Sequence, residues 1–267
     1  MWGFKRAVLK TSSIEGYPFN FCYDETCAFS ACTGCDAGCD AGMDIAFVMD
    51  YTGSMGGTIN TAKTGIVDII DTIKTQTAGN YYRLSLVLAD EMQSGTVSNY
   101  STSTDYTSLP LSQRIVNTGL NGRYQWITAM EMFSLNNEVS FINQLNKINT
   151  PSMPLGYGVG GPEPTDMAFD FIINSDFTNS FRENVAKYVV IITDITPGGN
   201  DDVFNQTDID KVAQLTQDCI NKGIKVLVLG SGASYPVWQD LATNTGGAFN
   251  TSFSATALIT AFQNNCG

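Results

Sequence analysis

Histidine is absent from all 267 residues. That removes Ser-His and Cys-His nucleophile pairs, imidazole general bases and every His-containing zinc site. Positive charge is also scarce, with 14 Lys and Arg against 26 Asp and Glu and a formal net charge of −12. A surface this acidic is repelled by phosphate backbones and by anionic lipid, so neither nucleic acid nor a membrane surface is an expected partner. Long apolar runs are missing as well; no stretch reaches the ~18 residues a bilayer span needs, so no membrane insertion is expected. Met1 to Lys10 is basic but lacks the ~7–15-residue apolar core of a secretory signal. The glycines at 53, 56 and 57 do not form Gly-x-Gly-x-x-Gly, and no Gly-x-x-x-x-Gly-Lys-Ser/Thr is present, so nucleotide binding is not expected.

What is present is apolar material for a sizeable core, 43% hydrophobic and 11% aromatic. At ~150 residues per domain the length fits one large domain with an appendage. Residues 1–42 carry Cys22, Cys27, Cys32, Cys35 and Cys39 without sustained periodicity, and read as a cysteine-rich, loop-rich amino-terminal arm. Cys32 and Cys35 would make half of an all-cysteine zinc site. The second Cys-x-x-Cys is missing, so disulfides that staple a segment too small for its own core fit better. Cys219, on the apolar side of an expected helix, reads as a buried thiol. Seven cysteines among abundant Ser, Thr, Asn and Gly resemble an extracellular surface. Such a surface is reached after removal of a leader or by another route, for example on a virus particle.

From residue 43 to 267 strands and helices alternate. Residues 44–50 form an apolar run ending in Asp50, 83–89 a second, 188–194 a third ending in Asp194, and 224–230 a fourth; near-continuous apolar runs fit strands buried on both faces. Ile59, Ala62, Ile66, Ile69, Ile70 and Ile73 recur at helical spacing. Further helices are expected over 136–148, 165–173, 208–222, 236–245 and 255–264. Asp208 is placed to cap the fourth of these six, and Gly223 to end it. A short edge strand is expected at 248–251, and the polar stretch 91–127 reads as a hairpin or a long loop. Tyr81, Tyr82, Tyr100, Tyr106, Tyr124 and Trp126 border that stretch, where local packing is a better reading than a binding rim. The alternation predicts an α/β fold, a doubly wound, mostly parallel sheet with helices on both faces.

In such sheets ligands sit beyond the carboxyl ends of the strands, where strand order reverses. An aspartate at a strand end often only caps the next turn. After Asp50, however, Thr52 and Ser54 follow at alternate positions, and in an extended segment alternate side chains share a direction. A carboxylate with two hydroxyls suits Mg²⁺ or Mn²⁺ rather than zinc or copper.

Asp-x-Thr-Gly-Ser after an apolar strand resembles the metal-ion-dependent adhesion site of von Willebrand factor A domains. Residues 160–168, with Glu163 and Thr165 ahead of a helix, resemble the second ion-binding loop of that family, and 191–197 around Asp194 the third. Residues 238–249 are similar to its closing helix and Thr-Gly-Gly turn. The resemblance implies a Rossmann-like fold over residues 43–264 with one divalent ion, Mg²⁺ (or Mn²⁺ or Ca²⁺), at its top. Asp50, Thr52 and Ser54 would be ligands, Asp194 would act through water, and the second loop would offer Thr165, Glu163 or both. Gly56, Gly57 and residues 158–161 lack the side-chain oxygens of the flanking integrin sites, which implies one ion rather than three. Family termini lie close together, which makes Cys39 with Cys266 one conceivable pairing.

The function implied is non-enzymatic: metal-dependent adhesion to a protein partner that presents a carboxylate, on a cell or virion surface. The alternative is a structural scaffold subunit of a larger assembly, such as a phage virion, with a dispensable metal site. A metal-assisted hydrolase fits the carboxylates but lacks an acid–base partner near neutral pKa.

Overall fold

The structure, a computed structural model, describes residues 21–23, 29–31, 42–76, 81–93, 95–230 and 236–251, with 256 and 259. The cysteine pairing or zinc expected in the arm and the Cys39–Cys266 pairing lie outside the described residues, and of the helix expected over 255–264 only Thr256 and Ile259 are described, both helical. The chain divides into two compact units, Met1–Ala37 and Gly38–Gly267. In the first, β1 (Phe21–Tyr23) and β2 (Phe29–Ala31) pair antiparallel, with Cys22 opposite Ser30.

The second unit is an α/β fold. Its strands are β3 (Met43–Asp50), β4 (Tyr82–Gln93), β5 (Arg114–Thr118), β6 (Arg123–Glu131), β7 (Ala186–Thr193), β8 (Ile224–Gly230) and β9 (Ala248–Asn250). They form one seven-stranded sheet in the order β5-β6-β4-β3-β7-β8-β9. β3 runs parallel to both β4 and β7, and the parallel ladder continues through β8 to β9. β6 and β5 pair antiparallel, so the sheet is mixed but mostly parallel. The ambiguous stretch 91–127 thus holds most of a hairpin, Arg114–Glu131, which runs past its expected end, preceded by the single-turn helix α2 (Thr104–Thr107). Trp126, Tyr106 and Tyr100 pack against one another with ring centroids 5.3–6.3 Å apart.

Helices cover both faces because β3 is apolar on both. Ile45, Phe47 and Met49 join the layer under α1 (Ile59–Gln76) and α3 (Glu138–Lys147), which contributes Ile66, Ile70, Phe141 and Leu145. Ala46 and Val48 join the opposite layer, with Phe169 of α4 (Thr165–Asn174), Leu215 of α5 (Gln206–Lys222) and Leu241 of α6 (Pro236–Asn244). This is the period-two alternation of a strand buried on both sides. Cys219 lies in that second layer, fully buried, and burial pushes its thiol up to about 12.

Two local details depart from expectation. α5 begins at Gln206, capped by Asn205 rather than by Asp208. Asp208 instead reaches back to accept the Asn205 N–H at 2.8 Å, completing a capping box. Gly223 ends the helix in the left-handed region, φ 65°, as expected. At the opposite end of the sheet from the strand tips, fully buried Asp44 accepts from Arg83 Nε and Arg182 Nε, both at 2.9 Å, and from the Arg182 N–H at 2.7 Å. These bonds tie β3, β4 and the segment before β7 together. Burial alone would raise the Asp44 carboxyl, but the two guanidinium groups outweigh it and hold the group below its usual range.

Candidate functional site

Strand order reverses at β3. From β3 the chain goes to β4 on one side, and after the hairpin it returns to β7 on the other. Asp50 closes β3, and Asp194 directly follows β7, so the two aspartates stand at adjacent strand ends. This is where doubly wound sheets place their ligands.

Asp50 is fully buried. Its Oδ1 accepts the Thr52 hydroxyl at 2.7 Å and the Thr52 N–H at 3.0 Å, while its Oδ2 accepts the Thr193 hydroxyl at 3.0 Å. Thr52 Oγ1 lies 3.1 Å from Ser54 Oγ, and Ser54 donates to Asp194 Oδ1 at 3.2 Å. Asp50, Thr52, Ser54 and Asp194 therefore line up as one run of oxygens, each within 3.2 Å of the next. The convergence arises differently from the extended segment expected: Thr52 is extended (φ −81°, ψ 166°), but Gly53–Gly57 is a 3₁₀ turn that folds Ser54 back onto Thr52. Asp50 also does the plain turn-capping job of an aspartate at a strand end.

The second loop is tied to the first through backbone. Gly53 N–H donates to the Tyr157 carbonyl at 3.1 Å, and Gly156 N–H to the Tyr51 carbonyl at 2.9 Å. Gly158, at φ +64°, approaches so closely that a Cβ there would lie 2.9 Å from Thr52 Cβ and 2.8 Å from Glu163 Oε1. Glu163 is thus brought beside Thr52 across Gly158. Its backbone bonds to the third loop, N–H to the Thr196 carbonyl at 3.2 Å, with Gly198 N–H donating to its carbonyl at 2.8 Å. Thr165, at the start of α4, is also buried. Glu163 Oε2 and Thr165 Oγ1 are both buried without a hydrogen-bond partner. Trp238 Nε1–H donates to the Ile195 carbonyl at 2.9 Å and fixes the third loop from α6.

Four carboxyl groups at this end, Asp50, Asp90, Glu91 and Glu163, are held above their usual range, chiefly by burial. Asp50 is pushed up to about 6, with the Asp194 charge adding to burial and the Thr52 and Thr193 bonds opposing it. Glu163 is pushed up to about 10, by burial and then by Asp50, Glu91, Asp90 and Asp202. Asp90 is pushed up to about 7 and Glu91 to about 8, again mainly by burial. Arg123, paired with Asp202, is the cation facing Glu91. Burial and neighbouring acids disfavour the charged forms of these carboxyls, and a bound positive ion would favour them.

Residue reasoning missed Thr193, Asp90, Glu91 and the Arg123–Asp202 pair. Asp90 left a trace in the sequence: the run 83–89 is followed by an aspartate just as the two recognised runs end in one. It accepts the Ser98 hydroxyl at 2.5 Å and the Gly158 N–H at 3.2 Å, buttressing the second loop.

The donor chemistry fits a hard cation held by two carboxylates and hydroxyls. Among the described residues no three or more His, Cys, Asp or Glu side chains gather into a metal-holding group, so the set relies on Thr and Ser oxygens. No protein-family model matches the chain, and no curated protein is significantly similar to it. Among the described residues no helix is long and apolar enough to cross a membrane.

Proposed function

We propose that residues 43–267 form a Rossmann-like A-type domain of the von Willebrand factor kind, a non-enzymatic module that binds a protein partner through one divalent cation. The observation that carries this reading is the oxygen chain Asp50–Thr52–Ser54–Asp194, drawn from two strand ends and a 3₁₀ turn. Mg²⁺, with Mn²⁺ or Ca²⁺ as substitutes, would supply a hard charge with a coordination position left for an outside carboxylate. Asp50, Thr52 and Ser54 would hold it directly and Asp194 from the third loop. The second-loop donor would be Glu163, Thr165 or both, each of which has an unpartnered buried oxygen. Ser54 is solvent-exposed, so the chain of oxygens opens outward, toward a partner's acid group. The chain's own role is to fix these oxygens. An extracellular or virion surface is the setting proposed for such a module.

Calorimetric titration of the full chain with MgCl₂ and MnCl₂, for wild type and Asp50→Ala, tests the reading. Saturable one-site binding that disappears in Asp50→Ala supports it; no binding at millimolar Mg²⁺ in a folded wild type overturns it. Partner capture that persists in EDTA would favour a scaffold role in a larger assembly, with the metal site dispensable.

A further inference from the structure

Asn121-Gly122 is the one Asn-Gly step in the sequence. It forms the two central residues of the β5–β6 hairpin turn, with φ +52° at Asn121 and +75° at Gly122. The Arg123 N–H closes the turn on the Leu120 carbonyl at 3.0 Å. Positive φ at both central positions makes this a type I′ turn, the geometry that Asn-Gly favours. Both residues are exposed, and among the described residues no acceptor takes the Gly122 N–H. Gly122 has no side chain to shield its nitrogen.

The tip is also a tether. Asn121 Nδ2 donates to the Asp201 carbonyl at 3.2 Å, Leu120 N–H donates to the Asn200 carbonyl at 2.5 Å, and Arg123 pairs with Asp202. Three consecutive residues of the third loop, 200 to 202, are thus held by the hairpin tip. Asp194 lies at the start of that same loop.

We infer that Asn121 is a site of spontaneous covalent modification, deamidation through a succinimide, and that its conversion releases the hairpin tip from the third loop. The Gly122 nitrogen, having given up its proton to solvent base, attacks Asn121 Cγ. The N–Cγ bond forms, the Cγ–Nδ2 bond breaks, and the amide leaves as ammonia. Water then opens the ring at either carbonyl to give aspartate or isoaspartate, so the sum is asparagine plus water to acid plus ammonia, with no change of oxidation state. Either product replaces the Nδ2 donor with a carboxylate that cannot bond the Asp201 carbonyl. The isoaspartate form also adds a carbon to the backbone and breaks the type I′ geometry. The modification itself does not depend on the metal-binding reading.

The test is ageing of the purified full chain at neutral and mildly alkaline pH, followed by peptide mapping with isoaspartate-specific methyl labelling. Asn121 is expected to convert ahead of every other asparagine in residues 42–251, faster at alkaline pH, and the labelled peptide is expected to vanish in Asn121→Gln. An intact Asn121 after other asparagines have converted overturns the site. Hydrogen exchange on freshly made Asn121→Asp tests the consequence: amides of residues 198–203 are expected to exchange several-fold faster than in wild type. Unchanged exchange there overturns the release.

Discussion

Thr193 donates its hydroxyl to Asp50 Oδ2 over 3.0 Å, joining the ends of two neighbouring parallel strands that lie 143 residues apart in the chain. The bond sets the orientation of the Asp50 carboxylate and leaves Oδ1 to the two Thr52 donors. Thr193→Val keeps the shape and removes the donor, leaving a buried carboxylate oxygen unpaired. A loss of ~1–3 kcal/mol is expected from urea unfolding. Under the metal reading, Mg²⁺ affinity falls as well, because Asp50 is no longer fixed; unfolding with and without Mg²⁺ separates the two effects.

Asp44 governs the acid limb of stability. Its folded-state carboxyl is held below the unfolded value, so its stabilisation is present above the unfolded pKa and is lost as pH falls through the folded one. Removing one member of a buried charge cluster costs ~3–5 kcal/mol, which is the loss expected for Asp44→Asn at neutral pH. Unfolding curves collected downward from about pH 5 should be steep for wild type and flatter for the variant.

Asp90 works in the opposite sense. Burial raises its carboxyl to about 7, so its contribution is complete below the unfolded pKa and is lost as pH rises through that value. Asp90→Asn keeps an acceptor for the Gly158 N–H and a partner for Ser98. The variant is expected to lose less stability than wild type between pH 5 and 8, by an amount on the order of 1 kcal/mol. Paired denaturant titrations at the two pH values check it.

The fold was legible where burial writes itself into one residue class. The apolar runs at 44–50, 188–194 and 224–230 cannot be anything but buried on two sides, and the isoleucines from Ile59 to Ile73 mark one face of α1. The hairpin Arg114–Glu131 was not legible in detail. β5 is an edge strand with Val116 46% exposed, so its pattern mixes polar and apolar residues without a clear period. Asp50, Thr52, Ser54 and Asp194 were legible as candidates because each sits at a strand end or in its first turn. Asp90, Glu91 and Thr193 were not, because their role comes from strand order, which brings β3, β4 and β7 side by side. The Arg123–Asp202 pair joins residues 79 apart and leaves no local pattern.

Gly156 is required by the Asp90 carboxyl rather than by its own backbone. A Cβ at 156 would lie 2.1–2.3 Å from the Asp90 carboxyl carbon and oxygens. Gly156→Ala must push Asp90 or the second loop aside, and overpacking of this kind costs ~1–3 kcal/mol. Because Gly156 N–H also bonds the Tyr51 carbonyl, the displaced loop should expose the first site loop. Faster amide exchange at Gly53, alongside the lower unfolding midpoint, is the expected outcome; Gly57→Ala, where a Cβ meets nothing within 4 Å, is the neutral control.

Glu163 and Thr165 compete for one role, and the structure separates them by position. Glu163 Oε1 faces Thr52 across Gly158, whereas Thr165 Oγ1 is buried at the start of α4. Glu163→Gln keeps volume and burial but cannot carry a charge; Thr165→Val keeps shape but loses its oxygen. A ligand that binds only the native state adds RT ln(1 + [L]/Kd), about 2.7 kcal/mol at a hundred times Kd, so Mg²⁺ at that excess should raise wild-type stability by this amount. If Glu163 supplies the second-loop oxygen, Glu163→Gln loses most of that increment while its Mg²⁺-free stability stays near wild type, and Thr165→Val keeps the increment. The reverse result assigns the role to Thr165. Retention of the full increment in both variants would place the cation, if one binds, away from the second loop.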